Sequence, residues 1–371
     1  MTPARPVVGI VGSAGGYGRW LARFFRERMQ LEVLGHDPAD ATSSCPDEVL
    51  ARANVLVFSV PIRHTPAVIE RWTTLAAGRE AGQLWLDITS VKEAPVAAML
   101  ASRAEVAGLH PMCAPPKAPT LRGRAMVVCA ARLQQWQPWF DELCRSLEAQ
   151  CVASNARHHD QVMALVQAMV HAGALAQAGV LRDYVPELGP LESLMPFRST
   201  GFELDMAVVA RILALNPAIY EDIQFGNPYV APMLARFADA LKELHGLVVQ
   251  GDDVARARFR EGFLAANRRL LGESWVEEGN YSFERLGYLL ADLAEATALS
   301  IHLPDDRPGA LRELLQVFEQ HGVNLASIHS SRTPAGEVHF RIGFEPGLPA
   351  DVLGQLVAEV NGRGIGRVLS R

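Results

Sequence analysis

A glycine-rich turn near the start of the chain has the spacing of a dinucleotide site. A predicted strand over residues 7–11 is followed by Gly12-Ser13-Ala14-Gly15-Gly16-Tyr17-Gly18 and then by a predicted helix over residues 19–28. Such a turn lets backbone amides approach a pyrophosphate, and the helix N-terminus favours its charge. We predict that Gly12, Gly15, Gly16, Tyr17 and Gly18 bind the cofactor, although a strict G-x-G-x-x-G motif requires glycine at the position of Ser13.

An acidic residue follows the second predicted strand, residues 32–34, which ends at Gly35-His36-Asp37. A carboxylate there accepts hydrogen bonds from the adenosine ribose and repels a 2′-phosphate, so NAD is expected rather than NADP. Ser59, Val60 and Pro61 follow the third strand and are predicted to line the same site. The alternatives are a simple turn role for Asp37 and a nucleotide binder without redox chemistry.

Two further polar segments follow predicted strands: Asp87-Ile88-Thr89-Ser90-Val91-Lys92 and Gly108-Leu109-His110-Pro111-Met112. The ordinary pKa of imidazole lies near neutral pH, so a neutral histidine such as His110 is suited to proton transfer. His159-Asp160, His171 and Arg211 are candidates in the helical part of the chain. No metal site is predicted, because adjacent histidines do not easily hold one ion.

Three zones must position these residues. Residues 1–155 alternate apolar runs with helical patterns, which predicts a Rossmann-type α/β domain with a parallel sheet. Residues 156–280 show helical patterns with wide apolar faces, which predicts an all-α domain that forms a dimer. Residues 281–297 are predicted to be a linker, and residues 298–371 a small α+β (βαββαβ) domain. The predicted strands cover residues 7–11, 32–34, 55–60, 84–88, 106–109, 125–129, 299–303, 325–331 and 337–344.

Composition narrows the class of protein. The chain has 371 residues, 49% of them hydrophobic and 20% charged, as in soluble multidomain proteins. A net charge of −6 gives no electrostatic reason to expect nucleic acid or anionic membranes as partners. No run of apolar residues is long enough to predict a membrane helix, and a cytoplasmic protein is expected. Five scattered cysteines without a C-x-x-C pair predict free thiols rather than disulfides or zinc.

Several motifs, taken in order over about residues 7–250, resemble the prephenate dehydrogenase family. That family combines a dinucleotide-binding domain with a helical dimerisation domain, in agreement with the first two zones. The matching segments are Ser59-Val60-Pro61, Asp87-x-x-Ser90-Val91-Lys92, Leu109-His110-Pro111-Met112, His159-Asp160-Gln161, Phe202-Glu203-Leu204-Asp205-Met206-Ala207-x-x-x-Arg211 and Asn216-Pro217-x-x-Tyr220-x-Asp222-Ile223.

The resemblance implies oxidative decarboxylation of prephenate with NAD⁺, giving 4-hydroxyphenylpyruvate, carbon dioxide and NADH. By motif match, His110 is the catalytic base and Ser90 orients it or the substrate hydroxyl. Arg211 matches a carboxylate-binding arginine, and a guanidinium suits that contact. The substrate-binding set is completed by His171, His159 and Tyr220. The alternatives are a strand-end role for His110, a surface role for Arg211 and a helix-cap role for His159-Asp160.

The chain departs from the family pattern in two places. Cys113-Ala114-Pro115-Pro116 replaces the common Phe-Gly-Pro, and Glu203 stands where some relatives have arginine. Both changes leave open whether the substrate is prephenate or arogenate, which carries an amino group in place of the keto oxygen. No helix bundle precedes the first predicted strand, so a single activity is expected.

The third zone resembles the ACT domain, a βαββαβ fold that binds amino acids between paired copies. Gly309-Ala310-Leu311 matches the ligand-binding turn, whereas His329-Ser330-Ser331-Arg332-Thr333-Pro334 differs from the usual Glu-Ser-Arg-Pro. Gly309, Ala310, Leu311, Asn324 and Ser330 are the predicted effector residues. The effector is expected to be tyrosine or phenylalanine. The alternative is a dimerisation module without a ligand.

The sequence therefore predicts a homodimeric NAD-dependent dehydrogenase of prephenate or arogenate with an aromatic amino-acid effector. Two alternatives stay open. One is another Rossmann–ACT dehydrogenase, acting on homoserine or a hydroxy acid. The other is a non-catalytic sensor that binds NAD and an aromatic amino acid.

Overall fold

The computed structural model divides into two compact units, Met1–Glu243 and Leu244–Arg371. It describes residues 5–294, 298–303, 307–332, 338–345 and 347–370. Parts of several predicted features lie outside these residues: the two ends of the chain, the end of the predicted linker, part of the turn before the effector residues, the end of the second ACT segment and the start of the strand predicted at residues 337–344. They are residues 1–4, Arg371, residues 295–297, Asp305 with Asp306, Thr333 with Pro334, and Glu337.

A seven-stranded sheet organises the first part of the chain, in the order β2-β1-β3-β4-β5-β6-β7. The strands are β1 (Val8–Val11), β2 (Val33–His36), β3 (Val55–Phe58), β4 (Leu84–Asp87), β5 (Glu105–Pro111), β6 (Ala125–Arg132) and β7 (Gln150–Ala153). The helices are α1 (Gly16–Arg23), α2 (Pro46–Arg52), α3 (Thr65–Ala76), α4 (Glu93–Leu100) and α5 (Gln137–Leu147).

The expectation of a parallel sheet was wrong at the last two strands, because β7 is parallel to β6 and both run opposite to β1–β5. β1 to β5 are parallel to one another, but β6 pairs antiparallel with β5. Residues 112–124 join β5 and β6 without a helix, and a parallel return needs a longer crossover. The sequence also gave no sign of β7, because all four of its residues are exposed and show no apolar alternation.

Helices cover both faces of this sheet, as predicted for a Rossmann-type domain. Successive strand residues point to opposite faces, so Val57 packs with α1 and α5 whereas Phe58 packs with α2, α3 and α4. Trp20, Phe25 and Trp136 fill the first layer. Helices on both faces leave the carboxyl ends of the strands open for ligands.

Helices alone follow, as predicted. They are α6 (Ala156–Met163), α7 (Met169–Leu188), α8 (Leu191–Leu194), α9 (Thr200–Leu213), α10 (Pro217–Gly226), α11 (Val230–Gln250), α12 (Asp253–Phe259), α13 (Ala266–Leu271) and α14 (Glu273–Ala294). A π-helical turn over Ala164–Ala168 joins α6 to α7. Most of the predicted linker lies within α14. By length and composition alone, the stretch Ala156–Leu188 is apolar enough to cross a membrane, and most of its apolar surface is exposed.

The last part of the chain has the predicted βαββαβ order. It consists of β8 (Ala298–Leu303), α15 (Ala310–Gln320), β9 (Leu325–Arg332), β10 (Val338–Phe344), α16 (Ala350–Gly362) and β11 (Arg367–Ser370). The strands form an antiparallel sheet in the order β11-β8-β10-β9. Alternate residues of β8 and β10, such as Ile301 and Ile342, pack against Leu314 and Phe318 of α15 and Leu356 of α16.

Candidate active site

The glycine turn has the shape that a pyrophosphate needs. Gly12 has a φ of +88°, and a side chain there would meet the carbonyl oxygen of Ser59. Gly18 touches the carbonyl of Gly12, so α1 can begin close to the end of β1 only with glycine at this position. No side chain caps α1, whose N-terminus is therefore available to an anion. These features fit a dinucleotide.

Ser13 fits the turn because the neighbouring strand supplies a glycine. A Cβ on Gly35 would lie 2.7 Å from Ser13 Oγ. The Ser13 side chain therefore occupies the space that a side chain at position 35 would need. The glycine that the strict motif has at position 13 is replaced by the glycine at position 35. Asp37 lies beside the same turn, where its Oδ2 accepts a hydrogen bond of 3.0 Å from the Ala14 amide. Asp37 is therefore at the place predicted for a ribose-binding carboxylate.

The segment after Met112 lies against the glycine turn. The Tyr17 hydroxyl donates to the carbonyl of Cys113 over 2.6 Å, and Trp20 Nε1 donates to the carbonyl of Ala118 over 2.9 Å. Burial, reinforced by Cys113, raises the pKa of Tyr17. Because its hydroxyl is already engaged, Tyr17 would meet a cofactor through its backbone.

His110 ends β5 and belongs to a chain of three buried side chains. His110 Nδ1 lies 2.9 Å from His159 Nε2, and His159 Nδ1 lies 2.7 Å from Asp160 Oδ1. The Asp160 carboxylate also accepts from the amides of Lys92 and Glu93, each over 2.8 Å. Asp160 thus caps the first turn of α4. His110 Nε2 makes no hydrogen bond with the described residues.

These contacts change the assignments of His159 and Ser90. Both ring nitrogens of His159 are bonded within the protein, so neither is free for a substrate. The partner of His110 Nδ1 is His159 and not Ser90. The helix-cap alternative for His159-Asp160 holds only in altered form: Asn155 caps α6, and Asp160 caps α4.

A buried ion pair lies behind His110. Lys92 Nζ pairs with Asp87 Oδ1 and donates over 2.8 Å to the carbonyl of Leu109, the residue before His110. The Thr89 hydroxyl also bonds to Asp87 Oδ1, over 2.7 Å. The side chains of Asp87 and Lys92 are both 0% exposed. Asp87 and Lys92 belong to a recognisable motif, but the motif alone does not reveal this ion pair. The available signal was two opposite charges five residues apart at the end of a buried strand.

His110 is held in its neutral form. Burial, followed by the neighbouring His159 and Lys92, lowers its pKa well below the usual range of histidine. The uncharged ring can therefore accept a proton at neutral pH and below.

The helical side of the site is more open. The His171 ring contacts Tyr220 edge to face, with centroids 4.8 Å apart, and Arg211 on α9 is exposed. Burial lowers the pKa of His171. Gln167 Oε1 and His171 Nδ1 are buried without a hydrogen-bond partner among the described residues. Four residues apart along one helical stretch, these atoms are available to a polar ligand.

Two other contacts bear on this side. Arg63, just after Pro61, bonds to Asp222 through both Nε and its backbone amide, which ties α10 and its Tyr220 to the nucleotide domain. Glu203 lies 3.3 Å from Arg198 Nε, so the acidic residue at this variable position is paired within its own helical region.

The predicted effector residues lie in the small C-terminal domain. Gly309 precedes α15 with a φ of +96°, and Ala310 and Leu311 begin that helix. Asn324 precedes β9, and Ser330 lies in β9 at the edge of the sheet. Leu311, Asn324 and Ser330 are exposed.

Two domain families match the chain. Residues 155–263 match the family "Prephenate dehydrogenase, dimerization domain", and residues 297–356 match "ACT domain".

Curated relatives point the same way. The chain is 30% identical to the "T-protein" of Enterobacter agglomerans, over 82% of this chain and 74% of that protein. It is also 30% identical to the "4-amino-4-deoxyprephenate dehydrogenase" of Streptomyces pristinaespiralis, over 72% of this chain and 92% of that protein. A "Probable arogenate/prephenate dehydrogenase" of Methanocaldococcus jannaschii is 26% identical over 69% of this chain, and the chain spans 58% of its length.

A solved structure has the same fold. Prephenate dehydrogenase from A. aeolicus in complex with hydroxyphenyl propionate and NAD+ superposes with a TM-score of 0.56 and 17% identity, over 73% of this chain and 100% of that chain.

Proposed function

The chain belongs to the prephenate dehydrogenase family, and on that premise we propose that it oxidises prephenate with NAD⁺ to 4-hydroxyphenylpyruvate and carbon dioxide. Conversion of arogenate to tyrosine is the same chemistry on a second substrate. The observation that carries the proposal is the buried, neutral His110 at the carboxyl edge of the sheet, with Nδ1 bonded and Nε2 without a partner among the described residues.

His110 Nε2 takes the proton of the ring hydroxyl as hydride leaves the same carbon. The ring carboxylate then departs as carbon dioxide, its bonding electrons make the ring aromatic, and the product oxygen regains a proton. Because aromatisation drives this step, no metal is required. Ser90 orients the substrate hydroxyl toward His110 Nε2.

NAD supplies the hydride acceptor when it is bound. The turn from Gly12 to Gly18 holds its pyrophosphate, Asp37 its adenosine ribose, and Ser59, Val60 and Pro61 the edge of the sheet beyond. The backbone contacts at Gly12 and Gly18 are too close for a side chain, and the N-terminus of α1 has no side-chain cap. Both features support this arrangement.

The substrate is a dicarboxylate, and Arg211 is proposed to bind one of its carboxylates. Tyr220 lies within electrostatic range of Arg211, and its ring contacts that of His171. His171 Nδ1 has no partner among the described residues, which supports a polar contact with the ligand. Gln167 joins this set for the same reason.

NADH formation by the purified full-length protein tests the proposal. We expect turnover with prephenate or arogenate and NAD⁺, and much less with NADP⁺. The relative from S. pristinaespiralis adds 4-amino-4-deoxyprephenate as a third substrate, which has an amino group on the ring carbon that loses hydride. If none of the three substrates is turned over although NAD binding is confirmed, the alternative of a non-catalytic sensor would be favoured.

We propose that the protein is a homodimer in the cytoplasm, paired through its helical domain at residues 156–280. Exposed apolar side chains on the long helical stretch support this: Leu165 is 52% exposed, Val166 55% and Val180 56%. A second copy would cover them, which accounts for a long apolar helix without a membrane. Light scattering on the wild type and on Val166→Asp distinguishes a dimer from a monomer.

The C-terminal domain is proposed to bind tyrosine or phenylalanine at residues 309–311, Asn324 and Ser330. Two apolar side chains of this region, Leu311 and Ile328, are exposed and suit contact with an aromatic ring. Calorimetry with each amino acid on the full-length protein tests the proposal, and Ser330→Ala should weaken any binding. Absence of binding at millimolar ligand would favour a module that only pairs subunits.

A further inference from the structure

The Asp160 carboxylate is wholly buried, yet among the described residues it forms no hydrogen bond with a lysine or arginine side chain. Its Oδ1 and Oδ2 accept from the amides of Lys92 and Glu93, and Oδ1 also meets His159 Nδ1. Backbone amides can only donate, so both carboxyl oxygens of Asp160 act as hydrogen-bond acceptors.

The positions of the ring protons follow from this network. Because the Asp160 carboxylate accepts, His159 Nδ1 is the donor in that contact, and a His159 ring that carries this one proton has its lone pair on Nε2. His110 Nδ1, 2.9 Å away, must donate to that lone pair. The lone pair of His110 is therefore left on Nε2, which faces no described partner.

We infer that Asp160 and His159 are positioning residues that set the tautomer of His110, so that Nε2 is the nitrogen that takes the substrate proton. The inference rests on the proposed function and goes beyond it, since neither residue touches the substrate. When the proton moves from the substrate hydroxyl to His110 Nε2, the ring gains a positive charge. That charge is stabilised through His159 by the carboxylate of Asp160, without a second proton transfer.

A merely structural role for His159 is the competing explanation, and two substitutions separate the two. His159→Leu removes the acceptor for His110 Nδ1, whereas His159→Gln can place an amide oxygen near the original Nε2. We expect His159→Leu to lose roughly 10- to 1,000-fold in kcat, with the KM for NAD within about threefold, and His159→Gln to recover most of the loss. His158 is the exposed neighbour of His159, so His158→Leu is the matched control and should keep the wild-type kcat.

The tautomer itself is observable by ¹⁵N NMR of the full-length protein labelled in histidine, with His110 assigned by the signals missing from His110→Asn. We expect a protonated Nδ1 and an unprotonated Nε2 at pH 7.5 in the wild type, and a mixture of tautomers in His159→Leu. A protonated Nε2 in the wild type, or an unchanged kcat in His159→Leu, would overturn the inference. Failure of the proposed function looks different: no substrate turns over in the wild type, whatever the tautomer.

Discussion

The two sides of the candidate site are built on different principles. At the edge of the large sheet, the polar groups are buried and bonded to one another or to backbone: Asp87, Lys92, His110, His159 and Asp160. On the helical side, Arg211 is exposed, and Gln167 and His171 each keep a buried polar atom without a described partner.

This difference separates proton transfer from binding. Among the described residues, all five of these side chains form hydrogen bonds within one chain, although Asp87 Oδ2 and His110 Nε2 have no partner. The geometry of the sheet edge is therefore set by folding before any ligand arrives. The helical side has polar atoms without a described partner and exposed apolar side chains. We expect the substrate to bind the polar atoms and a second subunit to cover the apolar side chains. The predictions below test whether the two sides respond differently to substitution.

Loss of His110 should give the largest effect on catalysis. His110→Asn removes the proposed base, so kcat should fall by about 10²–10⁴-fold, the usual contribution of a placed general base. NAD binding and the thermal transition serve as controls that the chain still folds. Turnover close to wild type would exclude His110 from proton transfer.

Loss of Lys92 should act on stability first. Lys92→Met leaves Asp87 as a buried charge without its cation, which typically costs about 3–5 kcal/mol. Urea unfolding measures this loss. The double substitution Asp87→Leu with Lys92→Met removes both charges and should recover much of it.

An ion pair on the helical side provides the contrast for Lys92. Arg198 and Glu203 are 39% and 30% exposed, so Arg198→Met should cost about 1 kcal/mol or less. Equal losses in Lys92→Met and Arg198→Met would contradict the difference between the two sides.

Loss of Arg211 should act on substrate binding and leave stability unchanged. A hydrogen bond between charged groups contributes about 1.5–3 kcal/mol, so Arg211→Ala should raise the KM for the substrate by roughly 10- to 100-fold. The KM for NAD should stay as it is. Arg182→Ala, at an exposed arginine on α7, is the control. An unchanged substrate KM in Arg211→Ala would mean that the carboxylate binds elsewhere.

The smallest effect concerns pH and stability. The unfolded chain protonates His110 near the ordinary pKa of 6.5, whereas the folded chain holds that pKa well below this value. Below about pH 6.5 the unfolded state therefore binds the extra proton. The free energy of unfolding then decreases as the pH is lowered, by up to about 1.4 kcal/mol per pH unit. Unfolding at pH 7.5 and 5.5 should show a smaller drop in His110→Asn than in the wild type. Identical drops would show that His110 does not contribute.

Sequence patterns predicted much of the fold because they depend on local burial. The apolar runs from β1 to β6 and the βαββαβ order of the C-terminal domain follow from such patterns. β7 was not predicted, because the residues of this exposed edge strand show no alternation of apolar and polar side chains. The antiparallel direction of β6 was not predicted, because it depends on the connection between β5 and β6 rather than on the residues of β6.

The site was only partly predictable. His110 and the glycine turn carry recognisable neighbours along the chain, and these led to the cofactor and the proposed base. Ser13 looked like a departure from the motif, since nothing in the local pattern relates it to Gly35, 22 positions away on the adjacent strand. His159 was predicted to meet the substrate, because the sequence does not show which side of α6 packs on β5.

By itself, the sequence determined the order of strands and helices, the nucleotide turn and the residue types available for chemistry, since each depends on short-range spacing. Only the tertiary structure decided which of those residues meet. His110 and His159 are 49 positions apart, and their contact exists because Asp160 anchors α6 to the first turn of α4. Hydrogen bonds act over about 3 Å, so a contact between distant segments depends on how helices pack on the sheet, which periodicity does not encode.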